Sequence, residues 1–260
     1  MAWALGLALL AALAFQAWRT RRTRAGLERR LEAAHRELEA LQQAFSRFAP
    51  AEVVEDVIAA GVAARSEKKE ITVLFADLKG FTELGEGLPP AELVAILNGY
   101  LARMSQAIVE HRGHVSKFLG DGILALFGAL EANPWQTNDA LHAALAMRAA
   151  LADYNAELVA ARRPALAMGV GVHRGPVVAG LIGSEGLMEY GVIGRTVNVA
   201  SRVERLTRTH GVDILITAAA RAALDERFRL RALPAVAVKG IATALATYAV
   251  EGFDGDRTVG

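Results

Sequence analysis

The chain has no cysteine among its 260 residues. Disulfides and thiolate metal sites are therefore excluded, which fits a reducing compartment. It also lacks any excess of one charge. With 29 Lys and Arg against 28 Asp and Glu, the net charge is +1, and no nucleic-acid partner is expected. The six histidines (His35, His111, His114, His142, His173, His210) are scattered without ligand-like spacing. There is no internal repeat and no low-complexity tract. At 53% hydrophobic residues, the chain has material for one good-sized domain plus accessory segments.

One of those accessory segments is at the N-terminus. Residues 1–18 are apolar apart from Gln16, and as a helix they would reach about 27 Å, just enough to cross a hydrocarbon core. Arg19, Arg21, Arg22 and Arg24 follow at once. A secretory signal carries its positive charge ahead of the apolar stretch, so charge behind it points to an uncleaved single-pass anchor in the inner or plasma membrane, with the remainder cytoplasmic. A cleaved signal and a helix lying in the interface are the alternatives. In residues 19–49, Leu27, Leu31, Ala34, Leu38, Leu41, Phe45 and Phe48 alternate in steps of four and three, the seam of a parallel coiled coil. Such a helix would dimerise the chain and transmit a signal. The alternative is an amphipathic helix packed on its own domain. Pro50 ends it, and residues 50–69 read as a linker with a short helix. So short an N-terminus leaves no room for an outer sensor domain, so a membrane-protein regulator or the lipid itself is the expected source of any stimulus.

Three later segments carry chemistry. In ITVLFADLKGFT (71–82), an apolar strand delivers Asp77 beside Gly80 and a helix start. A carboxylate there can hold a hard cation, and the N–H groups of Phe81 and Thr82 can meet phosphate oxygens. An ordinary Asp-capped turn would use the same residues. In HVSKFLGDGILALFG (114–128), two strand-like runs flank Gly120-Asp121-Gly122, a tight hairpin with Asp121 at its tip. Asp121 could then approach Asp77, and two such carboxylates repel unless a cation lies between them. In EYGVIGRTVNVASRVER (189–205), Asn198 and Arg202 are four apart on one helical face, with Val199 and Val203 turned inward. They could orient a sugar oxygen and meet charge on a phosphoryl group; a surface Asn/Arg pair is the plain alternative.

The segments FADLKGFT, KFLGDG and YGVIGRTVNVASRVE, in this order, closely resemble the catalytic domain of class III nucleotide cyclases over roughly residues 70–252. The resemblance implies that Asp77 and Asp121, with the Leu78 carbonyl, hold two divalent metal ions (Mg²⁺ or Mn²⁺), and that Asn198 and Arg202 form the transition-state pair. It implies a site shared between the two domains of a homodimer, converting ATP to 3′,5′-cyclic AMP and pyrophosphate. Lys117 matches the base-reading lysine: an ammonium only donates, which suits N1 of adenine and not the N1–H of guanine. The second base-reading position, usually Asp or Thr, falls on Gly191, which leaves room for GTP. Lys239 resembles a lysine near the triphosphate. Gly186, Leu187 and Met188 stand where many bacterial relatives have a basic residue, and Arg195 where relatives are often acidic. A cyclase-like module that binds nucleotide without turnover is the alternative function. A dinucleotide-forming cyclase is disfavoured because the chain lacks a Gly-Gly-Asp/Glu-Glu-Phe hairpin.

The expected fold class is α+β. A strand at 71–77, helix 90–111, hairpin 115–127, helix 135–161 and strand 166–173 make a ferredoxin-like βαββαβ core. Two further strands near 177–182 and 189–193, a helix at 196–208 and a strand-rich completion after His210 follow. Residues 253–260 read as a tail.

Overall fold

The computed structural model describes residues 66–184, 187–237 and 244–255, together with Gln16. The expected anchor (1–18), coiled coil (19–49) and most of the linker (50–69) lie outside the described residues, as does Lys239. Among the described residues no helix is long and apolar enough to cross a membrane.

The elements run β1 (Glu67–Lys79), α1 (Phe81–Glu86), α2 (Pro90–Glu110), β2 (His114–Leu119), β3 (Gly122–Phe127), α3 (Gln136–Ala160), β4 (Ala167–Ser184), β5 (Leu187–Ile193), α4 (Arg195–His210), β6 (Ile214–Thr217), α5 (Ala218–Arg221), β7 (Phe228–Ala232) and β8 (Thr247–Phe253). One sheet joins the strands in the order β2-β3-β1-β4-β6-β8-β7, and β5 pairs with β4 off that path. The first four positions, filled through β1-α2-β2-β3-α3-β4, are the expected ferredoxin-like core.

The central strand β1 reads as an unbroken apolar run because both of its faces are covered. Leu74, Ala76 and Leu78 point into the main core with Ile96, Tyr100 and Met104 of α2 and Ala140, Leu141 and Met147 of α3. Ile71 and Val73 alternate to the other face, where they cluster with Ala200 of α4. A polar clasp fixes the start of α3 to β1: the Thr72 N–H donates to Gln136 Oε1 at 2.8 Å, and Gln136 Nε2 donates to the Glu70 carbonyl at 3.0 Å.

Two expected boundaries move. β1 starts at Glu67, inside the segment read as linker, because Glu67–Glu70 pair with Pro176–Ala179. Tertiary pairing there overrides a polar sequence. The strands expected at 166–173 and 177–182 are one strand, β4. Gly175-Pro176 suggests a break, but it falls where the second neighbour of β4 changes from β6 at Val170–Val172 to β5 beyond Val178. A residue without an N–H is tolerated at such a gap.

β4 also explains how α4 lies so close to the sheet. A Cβ on Gly171 would come within 2.2 Å of the Glu204 backbone nitrogen, and one on Gly169 within 2.2 Å of Thr207 Oγ1. A side chain at Gly171 would lift the helix, and one at Gly169 would displace the Thr207 and Glu204 side chains.

Candidate active site

Asp77 lies within β1, two residues before its end, on the same face as Ile71 and Val73 and hence toward α4. The β1–β3 register runs to Ala76↔Ile123. The hairpin turn that follows reaches Asp77: Gly120 adopts a left-handed conformation (φ +71°), and a Cβ on Gly122 would sit 3.3 Å from Asp77 Oδ1. Asp121 and Asp77 are thus brought together as expected. Burial and the neighbouring Asp77 charge push the Asp121 carboxyl above the usual range, although backbone N–H groups of Asp121 and Leu78 oppose the shift. Beneath them, the fully buried Tyr100 feels both charges, and its hydroxyl has no partner among the described residues.

A cation does reach this site, and it comes from the same chain. Arg208 donates through Nη2 to Asp77 Oδ2 at 2.8 Å and to the Leu78 carbonyl at 3.0 Å, while Nη1 holds Glu204. Glu204 is buried. It fits because Gly169, the register partner of Asp77, has no side chain: a Cβ there would lie 2.8 Å from Glu204 Oε1. Glu204 and Arg208 were missed from sequence, although an i,i+4 Glu→Arg pair on one helix was visible.

Divalent ions fit the residues present. Two carboxylates and one carbonyl converge, the carboxylates disfavour each other without a cation, and a guanidinium already bonds two of the three groups. Among the described residues no group of three or more His, Asp or Glu forms a metal cage. A sparse oxygen set is what Mg²⁺ takes when it keeps places for phosphate oxygens.

Asn198 and Arg202 project from α4, whose Val199 and Val203 are buried as expected. Neither polar side chain bonds a described residue. Arg202 precedes Arg208 by six residues, about 9 Å along the helix axis. Arg208, and not Arg202, is therefore the arginine that engages the chain's own Asp77.

The expected base-reading residues stand beside a carboxylate. Lys117, on β2 just after a bulge between Val115 and Lys117, donates to Glu189 Oε1 at 2.5 Å. A bulge re-aims side chains in this way. Glu189 is two residues from Gly191 on β5 and so shares its strand face, which puts a carboxylate one pleat away from the bare position. The period of two was the signal that could have found it. A side chain at Gly191 would meet Ile182 Cδ1 at 3.2 Å. Gly80, between β1 and α1, adopts a left-handed conformation and no side chain caps α1, so the Phe81 and Thr82 end of that helix is open to a ligand. A cavity of about 590 Å³ lined by Lys79, Arg148, Asp213, Arg231 and Glu251 contains none of the expected site residues.

Residues 63–252 match the family model described as the adenylate and guanylate cyclase catalytic domain. An adenylate cyclase of Anabaena cylindrica is 36% identical over 232 residues, which is 85% of this chain and 45% of that protein. Adenylate cyclase 1 of Rhizobium meliloti (strain 1021) is 32% identical over 210 residues, 80% of this chain and 32% of that protein. The chain thus spans less than half the length of these curated relatives. Among solved structures, a guanylyl cyclase is 33% identical with a TM-score of 0.69, covering 74% of this chain and 97% of that one. The adenylyl cyclase CyaB from P. aeruginosa is 30% identical with a TM-score of 0.68, covering 75% and 100%. The chain belongs to the adenylate and guanylate cyclase catalytic domain family, the class III nucleotide cyclases.

Proposed function

We propose that this chain is an adenylyl cyclase that converts ATP to 3′,5′-cyclic AMP and pyrophosphate at sites shared between two copies. The observation that carries this reading is the division of the machinery within one chain. Asp77, Asp121 and the Leu78 carbonyl converge at one end, whereas Asn198 and Arg202 stand elsewhere with no described partner. A second copy supplying its Asn198 and Arg202 would complete the set.

Asp77, Asp121 and Leu78 would hold two divalent ions, Mg²⁺ or Mn²⁺. Bound there, they supply positive charge to the triphosphate and acidify the ribose 3′-hydroxyl. The open start of α1 would take phosphate oxygens at the Phe81 and Thr82 N–H groups. Asn198 would hold a ribose oxygen, and Arg202, permanently charged, would face the charge that grows on the α-phosphoryl oxygens during 3′-hydroxyl attack. Lys239 remains an expectation from sequence as a triphosphate lysine.

Overall likeness does not choose the base, since an adenylyl and a guanylyl cyclase resemble this chain about equally. The residues favour ATP. Lys117 offers only donors, which suits adenine N1, and Glu189 offers an acceptor for the adenine amine that Gly191 cannot. The bare position at Gly191 favours a second reading, relaxed specificity with some use of GTP.

The sequence supports placing this domain on the cytoplasmic side of the inner or plasma membrane through residues 1–18. The coiled coil at 19–49 would pair two chains, and a membrane-protein regulator could act through it.

The decisive assay is product formation by the full chain from ATP and from GTP, with Mg²⁺ or Mn²⁺ and with Asp77→Ala as control. Cyclic AMP and pyrophosphate, both lost in the control, are expected. A dimeric protein that binds nucleotide and forms no cyclic product would replace the enzyme with a nucleotide-binding module.

A further inference from the structure

We propose that Arg208 is a displaceable counter-cation that competes with divalent metal for Asp77 and Leu78 and so sets the metal concentration at which the site assembles. The inference rests on the metal reading above and assigns a role to a residue outside the three segments that carry the family resemblance. Its basis is one set of contacts. A single nitrogen of Arg208 donates both to Asp77 Oδ2 (2.8 Å) and to the Leu78 carbonyl (3.0 Å), two of the three oxygen groups that would bind metal. The guanidinium thus lies against two of the three oxygen groups that a metal would use, and its positive charge opposes a second cation there, so metal binding is expected to draw Arg208 off Asp77.

The surroundings provide for that movement. Arg208 is bonded by its other nitrogen to Glu204, which is buried in the space left by Gly169. The arginine can release Asp77 and keep Glu204, so its charge stays paired throughout. The side chain is also 38% exposed, and a partly hydrated ion pair is weak enough to be exchanged. In the metal-free chain the contact relieves the repulsion between Asp77 and Asp121. In the loaded chain the same charge, released from Asp77, lies beside the triphosphate end of the site.

The test measures Mn²⁺ binding directly, through loss of the free-ion electron paramagnetic resonance signal, with the full chain and no nucleotide. A like charge within a few ångströms alters ionic equilibria by a factor of ten or more, so Arg208→Gln is expected to tighten Mn²⁺ binding about tenfold. Arg205→Gln removes an exposed cation from the same helix that bonds neither Asp77 nor Leu78, and it should change the affinity less than about twofold. Arg208→Lys, which keeps the charge and loses the planar fork, should fall between them. A crystal structure with Mn²⁺ should show Arg208 still on Glu204 and off Asp77. An Arg208→Gln affinity equal to wild type, or a metal-bound structure that retains the Arg208–Asp77 bond, would overturn the proposal. Absence of Mn²⁺ binding in both wild type and Arg208→Gln would instead sink the metal reading, and this inference with it.

Discussion

The two ends of α4 present opposite situations. At the C-terminal end, Arg208 and Glu204 are paired with each other and with Asp77, so the opposed charges are satisfied inside one chain. Toward the N-terminal end, Asn198 is exposed, and neither it nor Arg202 bonds any described residue. Exposed polar groups are ordinarily met by water, so this end of the helix stays available to a second copy, as the proposed shared site requires.

The largest effect expected from breaking this contrast is on activity. On the proposed reading, Asp77→Ala would remove a metal carboxylate and Arg202→Ala a cation at the reacting phosphoryl group, and each should lower turnover by roughly a hundredfold or more. Mixed chains should regain activity, because a heterodimer holds one site with neither lesion. Activity that stays absent in confirmed heterodimers would count against the division.

A somewhat smaller effect is expected at the base. Lys117→Glu replaces a donor-only group with an acceptor and sets it against Glu189. The ratio of cyclic AMP to cyclic GMP formed should fall by roughly a hundredfold. An unchanged ratio would remove Lys117 from base reading.

Smaller still is the response of the metal-free fold. Burial and Asp77 raise the Asp121 pKa on folding, so this group lowers stability as pH rises through its unfolded value toward its folded one. At pH 7 in chelator, Asp121→Asn should raise Tm by on the order of 2–4 °C, with the gain disappearing near pH 3, whereas with metal restored the same variant should lose turnover. A lower Tm at neutral pH would show that the aspartates are not opposed.

The last comparison concerns His173, which lies at neither end. Burial, and then the Arg195 charge at the start of α4, lower its pKa to about 4, and Nδ1 is 2.8 Å from Thr217 Oγ1. Its contribution is complete above the unfolded value near 6.5 and is lost as pH falls from there toward 4. In wild type, stability should drop over that window by roughly 1–3 kcal/mol. Denaturant titrations of His173→Gln should show a flatter profile, and an identical slope would mean that the imidazole charges freely in the fold.

What could be read from the chain followed the range of the forces involved. Asp77 and Asp121 were legible because glycines and apolar runs mark a strand end and a hairpin tip locally. Asn198 and Arg202 were legible because helix periodicity puts them on one face. The Arg208–Asp77 contact spans 131 residues and depends on the β1–β4 register and on the small size of Gly169, neither of which a local pattern contains. Glu189 was not legible because its meeting with Lys117 spans 72 residues, although its place on the same strand face as Gly191 follows from the period of two. The long β4 escaped because Gly175-Pro176 has the composition of a turn, and only its place between two partner strands makes it part of a strand.

The close seating of α4 on Gly169 and Gly171 has a consequence for how a dimer would respond to substrate. At Gly171 helix and strand touch backbone to backbone, and at Gly169 the strand meets the Thr207 and Glu204 side chains, so α4 can shift only as a stiff rod. In a two-fold pair, one end of that rod would border one active site through Arg208 and the other end would enter the second site through Asn198 and Arg202. Filling one site would then tug on its twin through about 9 Å of helix. The simplest readout would be a saturation curve that departs from a hyperbola.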